Sequence, residues 1–203
     1  QHSNELGELT CADGMTFGLQ SRFLFRQHSD PGRIRLLACK FFRNHGSHTM
    51  NLLAQHGNEV LISCNRNADQ YRQWADRLVH DPQPDYPGPL LGILSAMRVA
   101  SGTHLLVVPC DMPLLDAPLL QALIDLASEH PKQAIALQSG DQLQPLICIL
   151  PLALLGALEQ AWQAGQRSPY RWLIEQQAVT LTIAADDPRL LNANTPSQWH
   201  THR

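Results

Sequence analysis

The sequence predicts an α/β protein built on a mainly parallel sheet, and three observations carry that prediction. From residue 59 onward, short apolar runs alternate with stretches of helical period, the grammar of successive βαβ units. The run His104-Leu-Leu-Val-Val-Pro109 is apolar on both faces, as a central parallel strand must be. The chain has 203 residues, 44% hydrophobic and 16% charged, which suits one ordinary domain with a core of its own.

The elements follow in order. Residues 59–63 (Glu-Val-Leu-Ile-Ser) form a short buried strand, and 68–78 read as a helix. A proline-rich connection, Asp81-Pro-Gln-Pro-Asp-Tyr-Pro-Gly-Pro89, separates it from a helix over 90–99, which Gly102 stops. The strand at 104–109 comes next. Asp116 begins a helix with Pro118 in its first turn, ending near His130-Pro131. Strands follow at 134–137 and 146–150. Pro151 is expected to open a helix to Gly165, and Ser168 to cap another through Glu175. Residues 179–183 form a last strand, and Thr195-Pro196 starts a terminal helix. The whole of 1–203 is taken as a single domain, although residues 1–50 do not share this grammar. Polar and basic residues interrupt their apolar runs, so they supply the first strand and helix of such a sheet poorly.

Composition excludes several functions. Fifteen Lys plus Arg against eighteen Asp plus Glu give a formal charge of −3, and no basic face exists to bind nucleic acid. The longest apolar stretch, 146–158, is interrupted by Pro151 and is shorter than the roughly 20 residues a bilayer requires. The first residues lack a basic stretch followed by an apolar run, so no secretory signal is read and the cytoplasm is the expected location. The five cysteines (Cys11, Cys39, Cys64, Cys110, Cys148) are odd in number and widely spaced without a C-x-x-C, which favours buried reduced thiols over disulfides or zinc. None of the ten histidines stands in a metal-ligand frame.

Four segments could carry chemistry. In Val107-Val-Pro-Cys-Asp-Met-Pro113 an aspartate follows directly on a buried strand, between two stiffening prolines. Ligands of open α/β sheets bind just beyond the carboxyl ends of strands, so Asp111 would sit at a site. One carboxylate there suits a Mg²⁺ that also takes phosphate oxygens; the alternative is a turn aspartate capping its own backbone. In the second segment, Asp81 to Ile93, Gly88 permits a close approach at a helix start, where anions are favoured. The alternative is a rigid loop with solvated carboxylates. In Leu191-Asn-Ala-Asn-Thr-Pro196, Asn192 and Asn194 point the same way if extended, or they simply tie a loop down. Ser63-Cys-Asn-Arg66 closes the set, with Asn65 as ligand or turn residue.

Taken together, the strand followed by Asn65-Arg66, the Asp81…Asp-Tyr-Pro-Gly-Pro-Leu-x-Gly segment, Pro-Cys-Asp-Met-Pro and Asn-x-Asn-Thr-Pro resemble the molybdenum cofactor guanylyltransferases over about three-quarters of the chain. The resemblance implies a Rossmann-like nucleotidyltransferase with helices on both faces of the sheet. It would join GMP from GTP to molybdopterin and release pyrophosphate with Mg²⁺. It further implies Asp111 as the catalytic metal and GTP ligand, Asp81 as a nucleotide contact, and Asn192 and Asn194 on the molybdopterin side. Ser63 stands where the family often carries a GTP-binding asparagine, with Asn65 nearby. Molybdoenzyme chaperones or other cofactor-biosynthesis proteins are the implied protein partners. The resemblance fails in residues 1–50, which lack the family's glycine-rich loop and its lysine; a shifted reading frame upstream of about Met50 is the expected explanation. Two alternatives stand beside it: a sibling enzyme using CTP or a sugar phosphate, and an inactive molybdopterin-binding remnant without the phosphate loop.

Overall fold

The computed structural model describes residues 9–10, 16–17, 35–39, 52–53, 56, 59–64, 68–81 and 88–192. By packing, the chain falls into two compact units, residues 1–30 and 31–203. In the first, β1 (Leu9–Thr10) and β2 (Thr16–Phe17) pair antiparallel, with Leu9 opposite Phe17.

The second unit holds a seven-stranded sheet in the order β5-β4-β3-β6-β8-β7-β9. Its strands are β3 (Arg35–Cys39), β4 (Val60–Ser63), β5 (Arg77–Val79), β6 (His104–Pro109), β7 (Ile135–Ser139), β8 (Gln142–Pro151) and β9 (Val179–Ile183). β5, β4, β3 and β6 run parallel; β8 is antiparallel to both β6 and β7, and β9 returns parallel to β7. Besides the helical residues Leu52, Leu53 and His56, the helices among the described residues are α1 (Ala68–Tyr71), α2 (Pro89–Val99), α3 (Ala117–Glu129), α4 (Leu155–Gln163) and α5 (Pro169–Glu175).

Side chains alternate along the central strands and both faces are dry, which is why these strands read as unbroken apolar runs. Leu106 and Val108 enter one core with Ile135, Leu137, Leu53 and Leu119, Leu120 and Leu123 of α3. Leu105 and Val107 enter the other with Ala136, Cys148, α2, Leu158 of α4, and Trp172 and Leu173 of α5. The result is a helix–sheet–helix sandwich. Residues 90–97 of α2 are buried all round, so this helix is an inner element rather than an amphipathic cover.

Four expectations are corrected. The predicted helix over 68–78 stops at Tyr71, and 77–79 form strand β5. Tyr71, Trp74, Ala75 and Leu78 do recur at i, i+3, i+4 and i+7 and all pack on one core, but they reach it from a helix, a turn and a strand in succession. Pro151 ends β8 instead of opening a helix; a 3₁₀ turn (Leu152–Leu154) precedes α4, which ends at Gln163. The strands near 134 and 146 form an antiparallel hairpin through Gly140-Asp141, so the sheet is mixed at that side. Residues 1–50, read as poor in strand, contribute β3 to the interior of the sheet between β4 and β6, where pairing on both edges outweighs a short local run. The terminal helix expected from Thr195 lies outside the described residues.

Candidate active site at the carboxyl edge of the sheet

The strand order places the functional edge. The chain steps outward from β3 to β4 and β5, then crosses back to β6 on the other side of β3. The switch point therefore lies between β3 and β6, and a ligand crevice is expected beyond their carboxyl ends. Register makes this concrete. Val79 pairs with Ser63, Ser63 with Cys39, and Cys39 with Pro109, so the last residues of four parallel strands lie in one row. Asp81, Asn65 and Asp111 each follow that row by two residues. The strand ends that lead to Asp81 and Asp111 are three strand spacings apart, about 14 Å, within the span of a nucleoside triphosphate.

Asp111 is half-buried, and its carboxylate makes no hydrogen bond or ion pair among the described residues. Its neighbours are committed. Asp116, the N-cap of α3, accepts from the Leu119 amide at 3.0 Å. Asp187 caps the 3₁₀ turn Pro188–Leu190 and grips Arg189 with both oxygens, at 2.9 and 2.6 Å. These bonds to Arg189 hold the Asp187 carboxyl well below its usual 3.8, at about 2. The backbone-capping alternative for Asp111 is therefore not what the structure contains; that role belongs to Asp116.

The remaining expected residues fall as follows. Ser63 is 2% exposed and lies on the face of β4 shared with Leu61, beneath α2. Asp81 is half-buried just past β5. Gly88 takes a φ of +112°, the left-handed region, and precedes α2, whose N-terminus has no side-chain cap. Asn192 is exposed, two residues past the 3₁₀ turn. Asn65, residues 82–87 and Asn194 lie outside the described residues. Sequence reading missed Tyr71, whose hydroxyl is held above its usual 10 by burial and by facing Cys110 and Cys64. It also missed Arg189, although the Asp187-Pro-Arg189 spacing beside the asparagine motif was a usable signal. Burial raises the Cys64 thiol, so it is an inert packing group.

The opposite edge of the sheet is taken up by structure. Glu59 accepts from the amide and hydroxyl of Ser101 at 3.1 and 2.9 Å and pairs with Arg77 at 3.5 Å. His104 lies between the Thr103 hydroxyl and the Pro131 carbonyl.

Residues 43–180 match the MobA-like NTP transferase domain. The chain belongs to that family. It is 51% identical over 138 residues to the molybdenum cofactor guanylyltransferase of Pseudomonas syringae pv. syringae (strain B728a), covering 68% of this chain and 69% of that one. It is 43% identical over 155 residues to the protein of the same name from Pseudomonas fluorescens (strain SBW25), covering 76% and 78%. Among solved structures, the molybdopterin-guanine dinucleotide biosynthesis protein A of Archaeoglobus fulgidus superposes with a TM-score of 0.59 at 15% identity, over 83% of this chain and 96% of that one. The 2-C-methyl-D-erythritol 4-phosphate cytidylyltransferase of Thermus thermophilus gives 0.62 at 12% identity over the same shares. The MobA-like match thus begins within the segment where the sequence departs from the rest, and the solved structures fix the nucleotidyltransferase fold without selecting a base.

Proposed function

We propose that this MobA-like chain transfers GMP from GTP to molybdopterin, with release of pyrophosphate, through the carboxyl edge of its parallel strands. The observation that carries the reading is the carboxylate of Asp111, half-buried just past β6 and without a hydrogen bond or ion pair among the described residues, while Asp116 and Asp187 nearby in the fold are both engaged. The family generally works with Mg²⁺. Among the described residues no cluster of three or more His, Cys, Asp or Glu could hold a metal. A single oxygen donor fits Mg²⁺ better than other metals, because this ion keeps waters and takes substrate phosphates for most of its shell. When bound at Asp111, it supplies charge neutralisation for the triphosphate and the leaving pyrophosphate.

The protein's own contribution is positioning. The terminal phosphate of the acceptor and the α-phosphate of GTP repel each other, so in-line displacement depends on holding them at attack distance. Asp111 fixes the phosphate end. Asp81 contacts the nucleotide from the β5 end of the row, and Ser63 and Asn65 complete the nucleotide contacts. Asn192 and Asn194 hold the acceptor. Residues 31–203 form the catalytic unit. Cys64, Cys110 and Cys148 form no disulfide, which suits the reducing cytoplasm, and cofactor-biosynthesis proteins or molybdoenzyme chaperones would take the product there.

Titration calorimetry with Mg²⁺ tests the reading. Heat selective for GTP supports it. Preference for CTP would make the chain a sibling cytidylyltransferase, and absence of nucleotide binding by folded protein would leave a molybdopterin-binding remnant.

A further inference from the structure

The segment after β9 is fastened at two places before it reaches Asn192. At its start, the Ser139 hydroxyl donates to the carbonyls of Ala184 and Ala185 at 3.0 and 3.3 Å, and the Gly140 amide donates to Ile183. At its end, Arg189 is held in a fork by Asp187 and extends its third nitrogen, Nη1, to Asp116, 3.5 Å away. Asp116 closes the short loop that begins at Asp111 and starts α3. Leu190 packs on the α3 side of the core, which settles the face along which the segment runs. One guanidinium therefore spans two loops: one carries Asp111, and the other leads to Asn192.

We propose that Arg189 is a positioning residue that ties the acceptor-side segment to the loop of Asp111, so that the two substrates' phosphates are held in one frame. The proposal rests on the reading of Asn192 as an acceptor contact. The planar fork is what the role needs. Arginine binds both oxygens of Asp187 and still has a nitrogen to spare, whereas lysine offers one charge centre and cannot span the two carboxylates. The link to Asp116 is long and partly exposed, so it adds little to global stability. Its effect is geometric, and a misplacement of about 1 Å between reacting groups is enough to slow attack substantially.

The test uses the full chain with Arg189→Gln, Arg189→Lys and Asp116→Asn. Asparagine retains the helix cap while removing the charge, so α3 stays intact in that variant. Steady-state transfer is expected to show the KM for molybdopterin raised about tenfold in Arg189→Gln, with the KM for GTP within about twofold and the melting temperature little changed. Arg189→Lys should recover part of the loss. The double variant Arg189→Gln/Asp116→Asn should be no worse than Arg189→Gln alone, because both remove one link. An unchanged acceptor KM, equal rises in both KM values, or additive losses would overturn the proposal. Hydrogen exchange separates its failure from that of the parent reading. If wild-type protein transfers no GMP, the function is wrong; the link is still judged by whether Arg189→Gln speeds exchange at 111–116 as well as at 184–192. Acceleration confined to 184–192 refutes it.

Discussion

Asp111 owes its chemical freedom to the residues around it. Asp116 takes the helix cap that a loop aspartate would otherwise supply, and Arg189 is drawn to Asp187 and Asp116 rather than to Asp111. Replacing Asp111 by Asn keeps the shape and removes the charge. Turnover should fall by about 10³-fold, equivalent to about 4 kcal/mol of transition-state stabilisation, with an unchanged circular dichroism spectrum. Full activity in that variant would remove Asp111 from the mechanism. His104 makes a different kind of prediction. Burial lowers its pKa from the usual 6.5, against a smaller opposing effect of the Pro131 carbonyl. The folded state therefore binds a proton less readily than the unfolded chain. The stabilisation is complete above pH 6.5 and is lost as the pH falls toward the lower folded value. Urea unfolding at pH 7.5 and 5 should show a smaller acid loss in His104→Gln than in wild type; equal losses would assign the acid sensitivity elsewhere.

Among the elements, the turns at either end of β7 and β9 report how tightly the segment toward Asn192 is seated. Gly140 has a φ of +55°, and a Cβ there would lie 2.9 Å from that of Ala185. Gly140→Ala should cost about 2 kcal/mol through strain and overlap and push the 184–190 segment off β7. Gln177, just past α5, has a φ of 52° with a side chain that gains nothing from it. Gln177→Gly should stabilise by about 1 kcal/mol, and a loss of stability in chemical denaturation would contradict this account. The same elements show what local pattern can hide. β6 was legible because six consecutive residues are buried on both faces. β5 was not: Tyr71, Trp74, Ala75 and Leu78 carry helical spacing, and only the pairing of Arg77–Val79 with β4 turns the last of them into strand. Pro151 resembles a helix start, yet it stays in β8 because His104 pairs with it.

On the scale of the whole molecule, the segment proposed to face the acceptor is present at residues 191–196, while residues 1–50 lack the glycine-rich loop expected of the family. Residues 40–50 after β3 read Lys-Phe-Phe-Arg-Asn-His-Gly-Ser-His-Thr-Met, with one glycine. Grafting a loop of the form Leu-Ala-Gly-Gly with its downstream Asp-Lys onto the end of β3 should tighten GTP binding by about 10²-fold, the effect of two or so charge-assisted hydrogen bonds. Calorimetry on the graft reads this directly, and the coding DNA should hold such a loop in another frame. The segments proposed to carry the chemistry were legible without a structure. Asp111, Asp81 and Gly88 stand beside strand ends and a helix start, and prolines, glycines and buried runs mark those places locally. What only the tertiary structure decided is which of these groups face one another and which are free. The register of four parallel strands sets Asp81 and Asp111 in one row, and the return of the chain after β9 brings Arg189 to Asp116. Both arise from pairings between residues far apart in the chain, whose energies depend on the assembled sheet, so no window of sequence contains them.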